Sequence, residues 1–469
     1  MDTKKLRQKI LDLAIHGKLV PQDPNDEPAS VLLERIKAEK ERLVKEGKIK
    51  KSKKSAKTSD TPHYENVPFE VPDNWVWTIV GEVGEVITGS TPSKDIAEYY
   101  GGDIPFYKPT DLDLGINTNS ASDTLTIEGY NLSRKLPVGS ILVTCIGATI
   151  GKTGLISTEG ACNQQINAII PSSLITSTFL YYSCISEYFQ KEIRNHASAT
   201  TLPILNKNNF TKLLIPLPPL SEQQRIVKEI ERWFALIGQI EQDKVDLQTI
   251  IKQTKSKILD LAIHGKLVPQ DPNDEPAIEL LKRINPNFTP CDNGHYPIGW
   301  IKTILGELFS HNTGKALNSS NKEGIFKDYL TTSNVYWNKF DFTVIKQMPF
   351  KESELDKCTV TKGDLLVCEG GDIGRSAIWN FDYDICIQNH IHRLRPKIDL
   401  CVPFYYYTFV YLKENNLIGG KGIGLLGLSS NALHKIELPL PPLAEQQRIV
   451  QKIEALFSVL DNIQNALEV

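Results

Sequence analysis

The sequence predicts an α/β protein in which two similar α/β domains are separated by long helices. Three observations predict it: a segment near the start recurs in the middle, a segment before the middle recurs near the end, and strand-like and helical patterns lie between the repeats. At 469 residues the chain is too long for one compact core. Its 41% apolar and 23% charged residues exclude a collagen-like or wholly disordered chain.

Two pairs of repeated segments define an internal duplication. Lys9–Ala29 recurs unchanged as Lys257–Ala277, and Pro216–Val227 recurs as Pro439–Val450 with one substitution. The central element therefore matches the C-terminal segment in its first part and the N-terminal segment in its last part. The two chain ends together equal a second copy of the central helix. We expect a circular pseudo-repeat with a pseudo-two-fold axis and neighbouring termini.

The repeats divide the chain into five segments, in which conserved helices flank two variable domains. The segments are 1–60 with N-terminal helices and a basic linker, 61–215 as the first variable domain, 216–285 as the central long helix, 286–438 as the second variable domain, and 439–469 as the C-terminal helix. Apolar runs at 140–147 and 364–371 predict buried strands, and the patterns at 176–195 and 402–415 predict helices. Each variable domain is therefore predicted to mix strands and helices.

The conserved helices carry a coiled-coil pattern. From Ile226 to Leu261, nine of eleven positions taken in steps of four and three are apolar, which is a period of 3.5 residues. Ser221 and Gln224 have the spacing of a capping box, and Gly17 and Gly265 suit left-handed C-terminal caps. We therefore expect a long antiparallel coiled coil of helices about 40 residues and roughly 60 Å long.

The charge balance restricts how this chain can bind nucleic acid. The chain has 53 Lys and Arg against 56 Asp and Glu, and the two variable domains have 9 against 15 and 16 against 16. DNA binding must therefore depend on a few loops and on hydrogen bonds to base edges. Arg35 to Lys57 holds eleven basic residues against three Glu, which suits either a solvated tether or a contact to DNA phosphate.

Motifs that indicate catalysis are weak. Gly147–Thr153 resembles a phosphate loop but has three residues between its glycines where the nucleotide-binding form has four. Its counterpart, Gly371–Ser376, replaces the lysine with arginine. We expect turns that bring Lys152 and Arg375 to a surface rather than ATP sites. His390 and His392 suit a polar surface or plain structure better than a metal site, and no zinc, hydrolase or kinase motif is found.

The cysteine pattern and the hydropathy indicate a location. Eight cysteines without a C-x-x-C pair are typical of free thiols in a reducing cytosol, with disulfides or zinc as the less favoured alternatives. The sequence has no apolar stretch of membrane-spanning length and no signal peptide, so we expect no membrane contact and a cytoplasmic protein.

The duplicated PLPPLxEQQRIV and LDLAIHGKLVPQ segments, with two dissimilar domains between them, resemble the specificity subunit of a type I restriction–modification system. The resemblance covers essentially the whole chain. Thr88–Leu112 also resembles the pattern of the family's first domain, and the second half departs from it.

The resemblance implies a DNA reader of prokaryotic cytoplasm. Each variable domain would be a target-recognition domain for one half of a bipartite, asymmetric double-stranded DNA target, and the coiled coil would set the spacing. Two modification (methyltransferase) subunits and the restriction (translocase and nuclease) subunits would be the partners. The chain itself would have no catalytic residue, no metal and no cofactor; S-adenosylmethionine, ATP and Mg²⁺ would belong to the partners. A coiled-coil scaffold without a DNA role, and a solitary nuclease or NTPase, stay as alternatives.

The candidate site residues form two groups. For DNA binding we nominate polar loop residues, which are Thr91, Lys94, Lys108, Thr110, Thr149, Lys152 and Gln165 in the first domain and Lys315, Asn318, Ser333, Asn334, Arg375, His390 and Lys421 in the second. The repeated polar run supplies the other group, which serves either partner contact or packing of the helices on the domains: Glu222, Gln223, Gln224, Arg225, Glu445, Gln446, Gln447 and Arg448.

Overall fold

The computed structural model describes residues 2–47, 67–198, 202–289, 295–317, 323–418 and 428–468. The chain divides into two compact units, Met1–Asp243 and Lys244–Val469, and each contains one variable domain together with conserved helices. The part of the basic run after residue 47, together with Cys291, Asn318 and Lys421, lies outside the described residues.

Unit 1 (Met1–Asp243) contains seven α-helices, two short 3₁₀ helices (Ala97–Tyr99 and Asp111–Asn117) and nine strands in its described part, and an eighth α-helix begins in it. The helices are α1 (Thr3–Ile15), α2 (Ala29–Lys45), α3 (Val80–Val83), α4 (Ile127–Leu132), α5 (Ser177–Cys184), α6 (Glu187–Asn195), α7 (Lys207–Thr211) and α8 (Leu220–Ile263). The strands are β1 (Val76–Ile79), β2 (Gly84–Thr88), β3 (Tyr100–Tyr107), β4 (Asp123–Leu125), β5 (Ile141–Thr144), β6 (Thr153–Leu155), β7 (Ala161–Cys162), β8 (Ile166–Pro171) and β9 (Leu214–Leu217).

Three small sheets build unit 1. Their strand orders are β2-β8-β5-β6, β4-β3-β7 and β1-β9, and only the β3–β7 pair is parallel. All four side chains of β5 are buried, as the apolar run predicts. One face of the largest sheet packs on α5 and α6 and on α1, α2 and the first part of α8, and this forms the main core. The conserved helices are therefore part of the core of unit 1.

Unit 2 (Lys244–Val469) contains the end of α8, six further helices and twelve strands in its described part. The helices are α9 (Ala277–Lys282), α10 (Leu305–Leu308), α11 (Glu352–Cys358), α12 (Val402–Glu414), α13 (Ser430–His434) and α14 (Leu443–Glu468). The strands are β10 (Ile301–Ile304), β11 (Phe309–Thr313), β12 (Ile325–Leu330), β13 (Val335–Tyr336), β14 (Lys339–Phe340), β15 (Lys346–Phe350), β16 (Thr359–Val360), β17 (Leu365–Cys368), β18 (Ser376–Ile378), β19 (Ile385–Ile387), β20 (Ile391–Pro396) and β21 (Glu437–Leu440).

The sheets of unit 2 repeat those of unit 1 with additions. The order β11-β20-β17-β18 matches β2-β8-β5-β6, and β10-β21 matches β1-β9. The sheet β15-β12-β19-β16 keeps one parallel pair, β12–β19, as its counterpart does. The hairpin β13–β14 has no counterpart among the described strands of unit 1. The predicted pair of similar α/β domains with helical connections is confirmed.

In each unit two conserved helices run antiparallel. In unit 1, Arg7 contacts Glu241 at 2.9 Å, and farther along α1 and its following loop Gln22 contacts Glu222 at 2.6 Å. The predicted stripe is only partly buried. Ile226, Ile230 and Ile237 lie in the core, whereas Trp233 and Ile240 are exposed. The prediction that all apolar positions of this stripe pack against another helix is wrong for unit 1, because α1 covers only one side of α8.

The predicted helix ends differ in outcome. The Ser221 capping box is wrong: α8 already begins at Leu220, and the Ser221 hydroxyl donates to Asp26 at 2.5 Å. The left-handed caps are confirmed, with φ of 65° at Gly17 and 66° at Gly265. At both sites a Cβ atom would lie 2.4 Å from a proline Cγ. Glycine is therefore required twice over, by conformation and by close packing.

The turn at Gly147–Thr153 joins two antiparallel strands, β5 and β6, and no helix follows it. It therefore lacks the helix N-terminus of a phosphate loop. Seven cysteines are free thiols, and burial raises the pKa of Cys145 to about 12. None of the described helices combines the length and apolarity needed to cross a membrane.

Candidate functional site

Loops at the ends of four strands meet on one side of unit 1. They follow β2, β3, β5 and β7, and backbone hydrogen bonds tie them together. The amide of Asn163 donates to the carbonyl of Tyr107 at 3.1 Å, and the amide of Cys145 donates to the carbonyl of Gln165 at 2.7 Å. The Thr91 hydroxyl donates to the side-chain amide oxygen of Gln164 at 2.5 Å. The structure thus assembles one connected polar surface from distant segments.

The candidate residues of unit 1 all lie on these loops. Lys94, Thr110 and Thr149 are exposed. The side-chain oxygen of Gln165 accepts a hydrogen bond from Asn163 at 3.0 Å. These side chains are accessible, as the DNA-binding prediction requires.

Two of the three candidate lysines of unit 1, Lys108 and Lys152, are already paired with carboxylates. The ammonium of Lys108 contacts Asp123, and that of Lys152 contacts Asp113 at 2.6 Å. Both lysines are part-buried, and Asp113 is exposed. A phosphate would have to compete with these carboxylates for the lysines.

Unit 2 builds the same set of loops. The amide of Gln388 donates to the carbonyl of Leu330 at 3.0 Å, and the amide of Glu369 donates to the carbonyl of His390 at 3.0 Å. These bonds correspond to the two named above for unit 1. Each loop therefore has the same topological position in both units.

Two candidates in unit 2 are structural, which corrects the prediction. The Lys315 ammonium is buried and donates to the carbonyl of Pro349 and to Glu354, both at 2.7 Å. Asn334 is buried, accepts a hydrogen bond from the Thr331 amide, and donates to backbone carbonyls. Neither side chain is free to reach DNA, because each satisfies polar groups that would otherwise be buried without partners.

The other described candidates in unit 2 reach the surface. Ser333 and His390 are exposed, and the His390 ring contacts Glu369 at 3.1 Å. The Arg375 guanidinium lies over the Tyr336 ring, 4.9 Å from its centre, and donates to the carbonyl of Thr332 at 2.5 Å. Arg375 is therefore held on an aromatic platform beside the loops.

His392 points into unit 2 rather than to the surface. One of its nitrogens contacts the carbonyl of Leu428 at 2.8 Å, so that nitrogen carries the proton and the other accepts from His311, also at 2.8 Å. The His434 ring packs against His311 at 4.8 Å. Burial lowers the pKa of His311 to about 4. The three rings pack inside the unit, and among the described residues no group of metal-ligating side chains is found.

In each unit a set of polar contacts, here called the latch, joins the conserved helices to the domain. Its residues are Gln22, Asp26, Trp75, Glu222, Gln223 and Arg225 in unit 1 and Gln270, Asp274, Trp300, Glu445, Gln446 and Arg448 in unit 2. In unit 1 the Glu222 carboxylate accepts from Gln22 at 2.6 Å and from the indole of Trp75 at 3.0 Å. In unit 2 Glu445 accepts from Gln270 at 2.6 Å and from Trp300 at 2.8 Å. Burial raises the pKa of both glutamates above the ordinary value.

The next latch residues are paired inside the chain as well. Gln223 accepts from the amide of Thr176 at 3.1 Å, and Gln446 accepts from the amide of Cys401 at 2.9 Å. Arg225 binds Asp26 through two hydrogen bonds, which holds the pKa of that carboxyl below its usual range.

Arg448 binds Asp274 in the same way, at 3.1 and 2.6 Å. Of the two roles weighed for the repeated polar run, packing therefore applies to the four buried residues, Glu222, Gln223, Glu445 and Gln446. Direct partner contact by these four is wrong, because their polar atoms face inward. Gln224 and Gln447 are exposed and stay candidates for it.

A family described as the type I restriction modification DNA specificity domain matches residues 72–247 and 297–469. The two matches cover well over half of the chain, and each spans one loop set together with the tryptophan, glutamate and arginine of one latch.

The chain belongs to this family. It is the DNA sequence-recognition subunit of a type I restriction–modification system, and a sequence reader is favoured over a scaffold without a DNA role or a solitary enzyme. The family provides DNA specificity rather than catalysis.

Relatives of this specificity subunit span nearly its whole length. The specificity subunits of the type I restriction enzymes EcoAI and EcoEI from Escherichia coli are each 27% identical to it. The alignments cover 98% and 99% of this chain and 90% and 91% of those proteins. A solved HsdS subunit from Thermoanaerobacter tengcongensis has the same fold, with a TM-score of 0.57 at 19% identity over 85% of this chain and 93% of that one.

Sequence reasoning missed the inward partners of the specificity subunit's latch. Trp75 and Trp300 belong to the weak echo PDNW and PIGW, which shows a repeat but no role. Asp26 and Asp274 lie inside the identical repeat, where every residue is duplicated and none is singled out. Asp113 was missed because carboxylates were counted only as net charge.

Proposed function

We propose that each unit reads one half of a bipartite, asymmetric DNA target and that the conserved helices set the spacing and hold the partner subunits. The observation that carries this proposal is the contrast within each unit. The four loops have the same positions in both units but different side chains, whereas the latches are nearly identical in geometry. Varied loops on a constant frame are what two different base sequences and two identical partners require.

The partners are two modification subunits and then the restriction subunits. The relatives named above are subunits of type I restriction enzymes, which supports other chains in the assembly. Within unit 1, the outer side of α8 exposes Trp233, Leu236 and Ile240 in neighbouring turns. An apolar stripe of this kind suits a helix of a partner. S-adenosylmethionine, ATP and Mg²⁺ belong to those partners, and the complex acts in a prokaryotic cytoplasm. The pseudo-two-fold axis and the neighbouring termini stay predictions.

The duplicated surface also supports two copies of one partner. The repeat Lys9–Ala29 contains exposed residues that make no latch contact, such as Lys18 and Pro24, and these are unchanged in Lys257–Ala277. Packing inside the chain explains the identity of the buried positions. It does not explain the exposed ones, which a second identical binding site would.

Exchange of one variable domain tests the half-site reading. Residues 61–215 are replaced with the corresponding segment of a relative that has a different target, and the chain is co-expressed with its modification subunits. Sequencing of methylated positions across a genome should show a change in one half of the target only. A change in both halves, or methylation without sequence preference, would contradict the proposal.

Substitution on the exposed stripe tests partner binding. Trp233→Asp with Leu236→Asp should abolish co-purification with the modification subunits, because the stripe would carry charge. Ile127→Asp, at a 73% exposed apolar residue of α4, is the matched control and should leave co-purification intact. Equal loss in the control, or none in the double variant, would rule out this surface.

A further inference from the structure

The ion pair of Lys152 and Asp113 lies where two loops of the candidate interface meet. Their charged atoms are 2.6 Å apart, and the side chains are 24% and 72% exposed. Lys152 comes from the turn between β5 and β6, and Asp113 comes from a short 3₁₀ helix (Asp111–Asn117) in the segment after β3. The surface therefore presents a hydrogen-bond donor and an acceptor side by side.

The backbone under this pair is well fixed. In the loop after β3, the Asp111 carboxylate accepts hydrogen bonds from the amides of Lys108 at 2.7 Å and Ser122 at 2.9 Å. In the other loop, the carbonyl of Lys152 accepts from the amide of Thr144 at 2.8 Å. Recognition of a rigid ligand is most selective when the reading groups are held in place beforehand.

The fold does not require an ion pair at this place. Tyr107 and Leu330 accept equivalent backbone bonds in the two units, and the residues six positions later are Asp113 and Tyr336. In unit 2 an arginine over the Tyr336 ring replaces the ion pair. An ion pair whose carboxylate is 72% exposed also contributes little to stability. The pair is therefore a feature of unit 1 that stability does not explain.

A simple phosphate contact does not explain the pair either. A carboxylate 2.6 Å from the ammonium repels a phosphate and competes with it for the lysine. Base edges in the major groove are different. Each base pair presents an amino group, on cytosine or adenine, next to a keto oxygen, on guanine or thymine. The two atoms are about 3 Å apart, because they share a Watson–Crick hydrogen bond.

We propose that Asp113 and Lys152 together read the orientation of one base pair in the first half-site. Asp113 accepts a hydrogen bond from the amino group of cytosine or adenine, and Lys152 donates to the keto oxygen of the paired guanine or thymine. The proposal rests on the half-site reading proposed above and adds a specificity-determining residue to it. In the reversed base pair, the amino group of the base would face the ammonium of Lys152 and the keto oxygen would face the carboxylate of Asp113. Both contacts are repulsive.

The test compares target sequences of the assembled complex. The full chain with its modification subunits methylates a genome, and the methylated sequences are aligned. The unchanged chain should show one position of the first half-site that is always adenine or cytosine on one strand. Asp113→Asn should make this position degenerate, with a loss of discrimination of roughly 5- to 150-fold, because an amide both donates and accepts. Lys152→Gln should act at the same position.

Two controls fix the interpretation. Asp103→Asn removes one exposed carboxylate of the same unit and should leave the target unchanged, and Tyr336→Phe should leave the first half-site unchanged. An unchanged target in Asp113→Asn, or uniform weakening at all sequences, would overturn the pair as a base reader while half-site reading stands. If the unchanged chain shows no first half-site at all, the proposed function itself fails.

Discussion

The two units have the same contacts where each domain packs on its conserved helices. They have different side chains where their loops reach the surface. The buried latch has the same residues, with contacts that differ by no more than about 0.2 Å between Glu222 and Glu445. The surface loops differ at the corresponding position. Lys152 of unit 1 pairs with a carboxylate, whereas Arg375 of unit 2 lies over an aromatic ring. The duplication has therefore kept the contacts between helices and domains and changed the side chains of the surface loops.

A second difference lies inside the sheets. The position of His311 in β11 corresponds to Val86 in β2, and that of His392 in β20 corresponds to Asn167 in β8. In unit 1, Asn167 accepts a hydrogen bond from Thr88 at 2.7 Å. Unit 2 thus replaces groups without charge by two that can be protonated. Equal folds can therefore differ in their response to pH.

Loss of the latch should have the largest effect, and it should be equal in the two units. Glu222→Ala and Glu445→Ala each leave a buried indole N–H without an acceptor and remove a packed side chain. Each should lower the free energy of unfolding of its unit by about 2–4 kcal/mol. Urea titration read by hydrogen-exchange mass spectrometry reports each unit separately. If the two losses in the free energy of unfolding differed by more than about 1 kcal/mol, the two latches would not be equivalent.

Acid should destabilise unit 2 through its histidines. Because the pKa of His311 is lowered to about 4 from the ordinary 6.5, the unfolded state binds more protons between these values. The contribution to stability is complete above pH 6.5 and is lost as the pH falls toward 4, by about 2 kcal/mol between pH 7 and pH 5.

The control uses valine, because Val86 of unit 1 occupies the position that corresponds to His311 of unit 2. His311→Val should flatten the pH dependence of the unfolding free energy of unit 2 in this range, whatever its effect at pH 7. Urea titrations at several pH values measure both chains. The same slope in the variant and in the unchanged chain would contradict the role of His311.

Lys315 should affect stability rather than DNA affinity, and the effect should be the smallest of the three. Lys315→Met removes one donor from Glu354 and the donor to the carbonyl of Pro349, and it should cost about 1–2 kcal/mol. The exposed Lys94 is the matched control in unit 1. Lys94→Met should change stability by less than about 0.5 kcal/mol and weaken binding of the assembled complex to all sequences alike. A reduced salt dependence of DNA binding in Lys315→Met would restore Lys315 as a phosphate contact.

The sequence by itself determined the duplication, the α/β class and the left-handed glycine caps, because these depend on identical segments and on local backbone preference. Gly17 and Gly265 have the same φ within 1° because the same residues surround them. The sequence determined the coiled-coil packing of the helices only in part. The 3.5-residue period does not say which face of a helix a neighbouring helix covers.

Only the tertiary structure decided which polar residues pack inside the chain and which ones reach the surface. Gln22 and Glu222 lie 200 positions apart, and Lys315 and Glu354 lie 39 apart, so no local pattern shows that these side chains meet. A glutamine or lysine in a loop has the same local sequence preference in either role. Its role is decided by the burial that distant segments impose, because a buried polar group must find its partner inside the protein.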